Sequence, residues 1–495
     1  MRGIIGYGTY VPYHRLRRAA IGESLGSGGG RGTRAVASFD EDATSMAVEA
    51  GRNAMRTLPG ITPDDVTFAT ATPPYLDKTN ANVIHAALDL PSRVFASDAA
   101  GSPRSVNGAL RSALDGTRTS LIVAADVRTG RPSSADEAQL GDAAMAWVVG
   151  GGDASPAPVI AEWLGGASAT AEFLDRWRAP GWDYSRVWEE RFGEHAYLPL
   201  VTEAADAAFK EVGLEPGDID IAIVTGLQSR AVRGAARAAG IGGVAIADGL
   251  TDTVGNTGTS HAGLVLASVL DEAAPGTTIM VIHLADGCDV GFYRTTDAIT
   301  DYQAAPTVAA QIEAGNDSLT YASFLTWRGF LEREPPRRPD PVPPAAPPSY
   351  RNESWKYAFV GSRDRSTGAV HLPPQRVSVK GGAVDDMEMV PMADVAATVV
   401  TYTIDHLAYS LAPPTIAAVI DFDGGGRFQC QLTDASPDEV AIGDRVQMTF
   451  RRLLTADGIH NYFWKAKPLA AGADDGAKPL ASGDNDTSNT TGSGD

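Results

Sequence analysis

Two short segments rich in glycine and serine hold the residues best suited to chemistry, DAAGSPRS at 98–105 and GNTGTSHAG at 255–263. Each comes just before an apolar, Ala-rich helical stretch. The first supplies Asp98; the second supplies Asn256 and His261. At a helix start, free N–H groups and the dipole favour a carboxylate anion and disfavour an imidazolium. Asp98 therefore reads either as an ionised general base or as a cap of that helix. Asn256 reads either as a group that orients a carbonyl oxygen or a water, or as a turn residue between Gly255 and Gly258. His261 reads either as a neutral acid–base group or as a packed core histidine. His283, inside the apolar run TIMVIHLAD, reads as structural, and Asp142 reads as a turn residue. Tyr75, Lys78 and Tyr302 are weaker candidates. The loop GSGGGRG at 26–32, with Arg31 and Arg34, could meet phosphate groups. It lacks the lysine and serine of a P-loop and reads equally as a flexible surface loop.

The elements that must position these residues are repeated. Residues 109–126, ALRSALDGTRTSLIVAAD, and 265–286, VLASVLDEAAPGTTIMVIHLAD, each give an Ala-rich helix ending in Leu-Asp, a short turn and an apolar strand. Neither helix shows a polar face, which predicts burial on all sides. Amphipathic helices are expected at 42–58 and 200–214, followed by strands at 66–73 and 219–227. Two such halves, each with a buried central helix, imply a layered α/β/α/β/α architecture. Residues 331–348, LEREPPRRPDPVPPAAPP, form a proline-rich linker. After it, the β-branched segments 396–404, 414–422, 426–433 and 444–454 predict a small antiparallel barrel. The expected divisions are 1–165, 166–330, a linker at 331–349, 350–392, 393–470, and a small, polar, disordered tail at 471–495.

The 495 residues carry 41 Lys and Arg against 61 Asp and Glu, a net charge of −20 that argues against nucleic acid or an anionic membrane held by bulk charge. No apolar run is long enough to span a bilayer, and the N-terminus shows no signal sequence, so a cytoplasmic protein is expected. Two cysteines, Cys288 and Cys430, exclude a disulfide scaffold and a metal site built on cysteine alone.

Several motifs carry a family resemblance. GIIGYGTYVPYHRL at the start, DEDATSMAVEA at 40–50, GDAAMAWVVGGG at 141–152 and GNTGTSHAGLVLASVLDEAAPGTTIMVIHLADG resemble the thiolase superfamily, closest to its HMG-CoA synthase-like branch. YAFVGSRDRSTGAVHLPPQRVSV at 357–379, with the barrel after it, is similar to the zinc-ribbon and OB-fold module that accompanies acyl-CoA thiolases and synthases. The resemblance implies the duplicated five-layer fold, an acyl-CoA thioester as substrate and a homodimer. With CoA as substrate, the loop's Arg31 and Arg34 are the candidates for its phosphates, and the scaffold alternative adds a partner thiolase.

The chain departs from the family where the family does its chemistry. The resemblance places a cysteine nucleophile where Asp98 stands, with Ser97 the next candidate, a glutamate where Ala71 stands and a histidine at Gly226 or Leu227; only its asparagine is matched, by Asn256. In the ribbon, Asp364, Thr367, Ser378 and Gly381 occupy the four cysteine positions and His371 is the one strong ligand nearby, so no zinc is expected. Loss of the cysteine excludes acyl transfer through a thiol and leaves chemistry at the carbon beside the thioester. Expected first is retro-aldol cleavage of a β-hydroxyacyl-CoA, with Asp98 or His261 as base. The alternatives are a condensing acyltransferase of HMG-CoA synthase type and a non-catalytic CoA-binding scaffold subunit. CoA enters as part of the substrate, with no tightly bound cofactor.

Overall fold

The computed structural model describes residues 1–469 except 153, 154, 156, 305, 338 and 340; the expected tail at 471–495 lies outside the described residues. The first half runs β1 (Arg2–Tyr10), α1 (Ala43–Arg56), β2 (Asp65–Thr70), α2 (Ala81–Ala87), β3 (Phe95–Ala100), α3 (Ser105–Asp115), β4 (Ser120–Asp126) and β5 (Ala143–Gly151). The second half repeats this order as β6 (Ala161–Ala169), α4 (Glu190–Val212), β7 (Ile221–Gly226), α5 (Ser229–Ala238), β8 (Ala245–Ile246), α6 (His261–Leu270), β9 (Thr278–Leu284) and β10 (Cys288–Thr295). The strands lie in one ten-stranded sheet, β8-β7-β9-β10-β6-β1-β5-β4-β2-β3. Each five-stranded half has the same internal order, which confirms the duplication. The halves meet through β1 and β6, paired at Gly3↔Glu162 and Ile4↔Ala161.

Three apolar clusters set the layers. Along β4, Leu121, Val123 and Ala125 face the core shared with α1, whereas Ile122 and Ala124 face the central core. That two-sided burial is why SLIVAAD reads as an unbroken apolar run. The central core holds α3 and α6 between the half-sheets, with Val106, Leu114, Leu264 and Leu266. The third core packs α4 and α5 on the outer side of the second half.

Helix α3 departs from the sequence expectation. It is not buried all round, because Gly108, Arg111, Ser112 and Asp115 are exposed. Its polar side chains are spaced so that one flank stays in solvent, and the Ala-rich composition hid that flank.

Beyond the linker, strands Val360–Asp364, Val370–His371 and Met387–Pro391 form the small ribbon sheet. A closed barrel follows, built from β11 (Ala397–Asp405), β12 (Thr415–Phe422), β13 (Arg427–Leu432), β14 (Arg445–Ala456) and β15 (Ile459–Pro468). The barrel is not wholly antiparallel: β13 meets β15 in parallel at Leu432↔Ala466, which closes the ring together with the antiparallel pairing of β11 and β14 at Ala397↔Val446. It shares one core with the first half, in which Met46 and Ala50 of α1 join Phe450 and Trp464.

Candidate functional site

The segments that were expected to hold the chemistry are present, but two of the three expected side chains, Asp98 and Asn256, are already engaged. Asp98 lies in mid-strand on β3, opposite Phe68, and α3 begins only at Ser105. Its carboxylate accepts from the Asn80 amide at 2.7 Å, the Asn80 side chain at 2.9 Å and the Ala81 amide at 2.8 Å. It therefore caps α2 from the neighbouring strand rather than standing at the start of α3. Asn256 spends both ends of its amide, donating to the Gly226 carbonyl at 2.9 Å and accepting from the Gly258 amide at 2.9 Å. It latches the end of β7 to the turn before α6.

His261 opens α6 and is buried, and its Nδ1 has no hydrogen-bond partner. Burial, and then the nearby His283, push its pKa down to about 3, which keeps it neutral. Arg31 is exposed. Arg34 is buried and not free for phosphate: it donates to the Glu137 carbonyl at 2.7 Å and the Arg128 carbonyl at 2.8 Å, and lies 3.6 Å from Asp142. The glycine-rich loop beside it lies at the surface, with residues 26–28 and 30–32 exposed, and it approaches the chain closely at Gly32, where a Cβ would run into the Asp252 carbonyl.

Asp126, at the end of β4, ties the two halves together. Fully buried, it accepts from the Ala71 amide at 2.7 Å and from the Thr259 amide and hydroxyl at 2.9 and 2.7 Å. It thus bonds the position that the resemblance gives to a glutamate directly to the turn that opens α6.

Beside α3 lies a cavity of about 510 Å³ that reaches β5, β6, β9, β10 and α6. Trp147, Trp163, Tyr293, Leu110 and Leu114 contribute its apolar walls. Its polar end is a chain of side chains. Arg104 grips Asp289 with two bonds of 2.9 and 3.0 Å. The Asn107 amide nitrogen donates to Asp289 at 2.9 Å and meets His283 Nδ1 at 2.7 Å. Burial alone would raise Asp289, but bonds from Arg104, Ser168 and Asn107 outweigh it and hold the carboxyl below its usual range. Burial lowers the His283 pKa. None of these four was a sequence candidate, except that His283 was read as structural. One signal was available: Arg104 and Asn107 stand three apart, on one side of a helix.

The ribbon does not fit zinc. Asp364, at a cysteine position, accepts from the Thr367 hydroxyl at 2.6 Å and from the Ser366 amide and hydroxyl, each at 2.8 Å. Bonds from Ser378 and Thr367 hold its pKa well below the usual carboxylate range. His371 accepts from the Val379 amide through Nε2 at 3.1 Å, and its Nδ1 faces the Ser362 carbonyl at 3.3 Å. Hydrogen bonds thus join Asp364, Thr367 and Ser378, three of the four positions at which the resemblance puts metal ligands. Among the described residues, no group of three His, Cys, Asp or Glu side chains could hold a metal ion.

Comparison with known proteins places this geometry. Along two thirds of its length the chain is 30% identical over 349 residues to the hydroxymethylglutaryl-CoA synthase of Caldivirga maquilingensis, covering 98% of that protein. The chain belongs to the hydroxymethylglutaryl-CoA synthase family. The synthases of Picrophilus torridus and Methanocaldococcus jannaschii are each 28% identical, over 98% and 99% of their lengths. A crystal structure of HMG-CoA synthase complexed with CoA overlays with a TM-score of 0.55 at 15% identity, over 66% of this chain and 89% of that one. MvaS in complex with 3-hydroxy-3-methylglutaryl coenzyme A overlays at 0.54 and 19% identity, over 70% of this chain and 94% of that one. These overlays establish the thiolase-like fold. Residues 389–451 match the family described as ChsH2, C-terminal OB-fold domain. Asp98, where the resemblance would put the nucleophile, is a helix-capping aspartate in this chain, and the barrel shares a core with the synthase-like body.

Proposed function

We propose that the protein binds an acyl-CoA thioester and forms a carbon–carbon bond at the carbon beside it, as a condensing protein of HMG-CoA synthase type that does not pass the acyl group through a cysteine. The observation that supports this reading is the match to nearly the whole length of a synthase, 98% at 30% identity. Such a reaction needs an enolate at the thioester and donors for its oxygen, neither of which requires a thiol. CoA is then part of the substrate. A homodimer in the cytoplasm, with or without a partner thiolase, fits this role.

A second reading is favoured by the lack of a cysteine in the segment 95–105. The same bond run backwards is retro-aldol cleavage of a β-hydroxyacyl-CoA, a step with no acyl-enzyme.

The test is incubation with acetyl-CoA plus a panel of β-ketoacyl-CoA partners, and separately with tertiary β-hydroxyacyl-CoA compounds, with mass spectrometry of the thioesters. New β-hydroxyacyl-CoA supports condensation. Release of a ketone and a shortened thioester supports cleavage instead. CoA binding with neither product overturns both and points to a scaffold subunit.

A further inference from the structure

We propose that the cavity beside α3 receives the apolar part of the thioester's acyl group and that His283, at its polar end, donates its Nε2 proton to an oxygen of that group. The proposal rests on the acyl-CoA reading above and adds the acyl class and the contacting residue. The cavity, at about 510 Å³, has the size of a small-molecule site. Its walls include Trp147, Trp163, Tyr293, Leu110, Leu114 and Met145, which suit a medium-length chain or a ring system rather than an acetyl group.

The tautomer of His283 follows from its neighbours. Asp289 is gripped by Arg104 and is acceptor-only as an anion, so the Asn107 amide must turn its nitrogen towards it. That same nitrogen lies 2.7 Å from His283 Nδ1, which then accepts. The ring proton is left on Nε2. Burial keeps the ring neutral. A neutral imidazole N–H held by packing is a preorganised donor for a carbonyl oxygen that gathers negative charge. The side chains of Asp98 and Asn256, by contrast, are already bonded within the protein.

Gly108 offers a clean test. It lines the cavity, and a Cβ placed there meets nothing within 4 Å. Gly108 sits on the exposed flank of α3, so Gly108→Leu puts a side chain across the open side of the cavity and also improves helix propensity. The probes are CoA and decanoyl-CoA, titrated by calorimetry. Wild type should bind decanoyl-CoA at least about tenfold more tightly than CoA, since each buried methylene contributes ~0.8 kcal/mol. Gly108→Leu should erase that difference without lowering Tm. A bromine on the decanoyl chain should quench tryptophan fluorescence in wild type. His283→Leu should keep the affinity difference but lose the downshift of the bound thioester carbonyl stretch in the infrared, and His283→Gln should restore part of it. Binding of CoA with no gain from the acyl chain, no quenching, or a carbonyl stretch unchanged by His283→Leu overturns the proposal. If neither CoA nor decanoyl-CoA binds, the acyl-CoA reading itself fails.

Discussion

Arg451 of the barrel and Glu41 of the first half form an ion pair of 2.5 Å, with both side chains closed off from water. It is the middle of three consecutive contacts. Asp40 takes Lys465 at 2.8 Å, and Asp42, which caps α1, accepts from the Tyr462 hydroxyl at 2.7 Å. Arg451 also reaches Asp434 at 2.5 Å and the Tyr10 hydroxyl at 3.1 Å. The acidic run DED at 40–42 is therefore a clamp that docks the barrel. The core around it is continuous, with Met46 and Ala50 on one side and Phe450 and Trp464 on the other.

Removal of one partner from such a network leaves charge buried without compensation. Arg451→Met strands Glu41 and Asp434 and should destabilise the chain by about 3–5 kcal/mol. Urea unfolding of the full chain measures this. A loss below about 1 kcal/mol would show that the clamp is hydrated in solution.

The clamp also sets an acid limit. Glu49 on α1 accepts from Arg52 at 2.7 Å and from the Phe450 amide at 3.0 Å. Burial alone would raise its pKa, but Arg52, Lys467 and the Phe450 amide outweigh burial and bring it to about 2. A carboxylate whose pKa is depressed on folding stabilises above its unfolded value, and the gain is lost as pH falls through the folded value. Between about pH 4.5 and 2 the chain should lose roughly 3 kcal/mol from this group. Glu49→Gln should flatten that part of the stability profile. An unchanged slope would remove Glu49 as its cause.

Much of the fold was legible in the sequence, because duplicated apolar runs and proline-rich breaks depend on local composition. SLIVAAD and TIMVIHL are buried on both faces, so their unbroken apolar runs located them correctly. The parallel closure of the barrel rests on one pairing across 34 residues, Leu432 with Ala466, which no local pattern announces. The site was less legible for the same reason. Asp98 was placed by its distance in sequence from α3, whereas its bonds are to Asn80 and Ala81, brought alongside by strand pairing. The cavity's polar end joins Asn107 to His283, 176 positions apart, so an apolar setting in the sequence hid a polar one in space.

The Asp98 contacts separate a cap from a base. Asp98→Ala removes three hydrogen bonds at the start of α2 and should cost about 1–2 kcal/mol in stability. At a temperature where the variant is fully folded, kcat/KM for acyl-CoA turnover should stay within about twofold of wild type. A hundredfold fall in kcat with unchanged Tm would instead make Asp98 part of the reaction.

The two cysteines give the sharpest contrast with a thiol-dependent mechanism. Cys288 and Cys430 are both buried, and burial pushes both thiols up to about 12. Thiolate is the reactive form, so neither is a nucleophile near neutral pH. Native protein should resist iodoacetamide and be alkylated at both positions only after unfolding. The double variant Cys288→Ala with Cys430→Ala, assayed below its own melting range, should keep wild-type acyl-CoA turnover. Intact-mass analysis of the native protein mixed with acetyl-CoA decides the point, because an acetyl adduct on either sulfur would restore the covalent route.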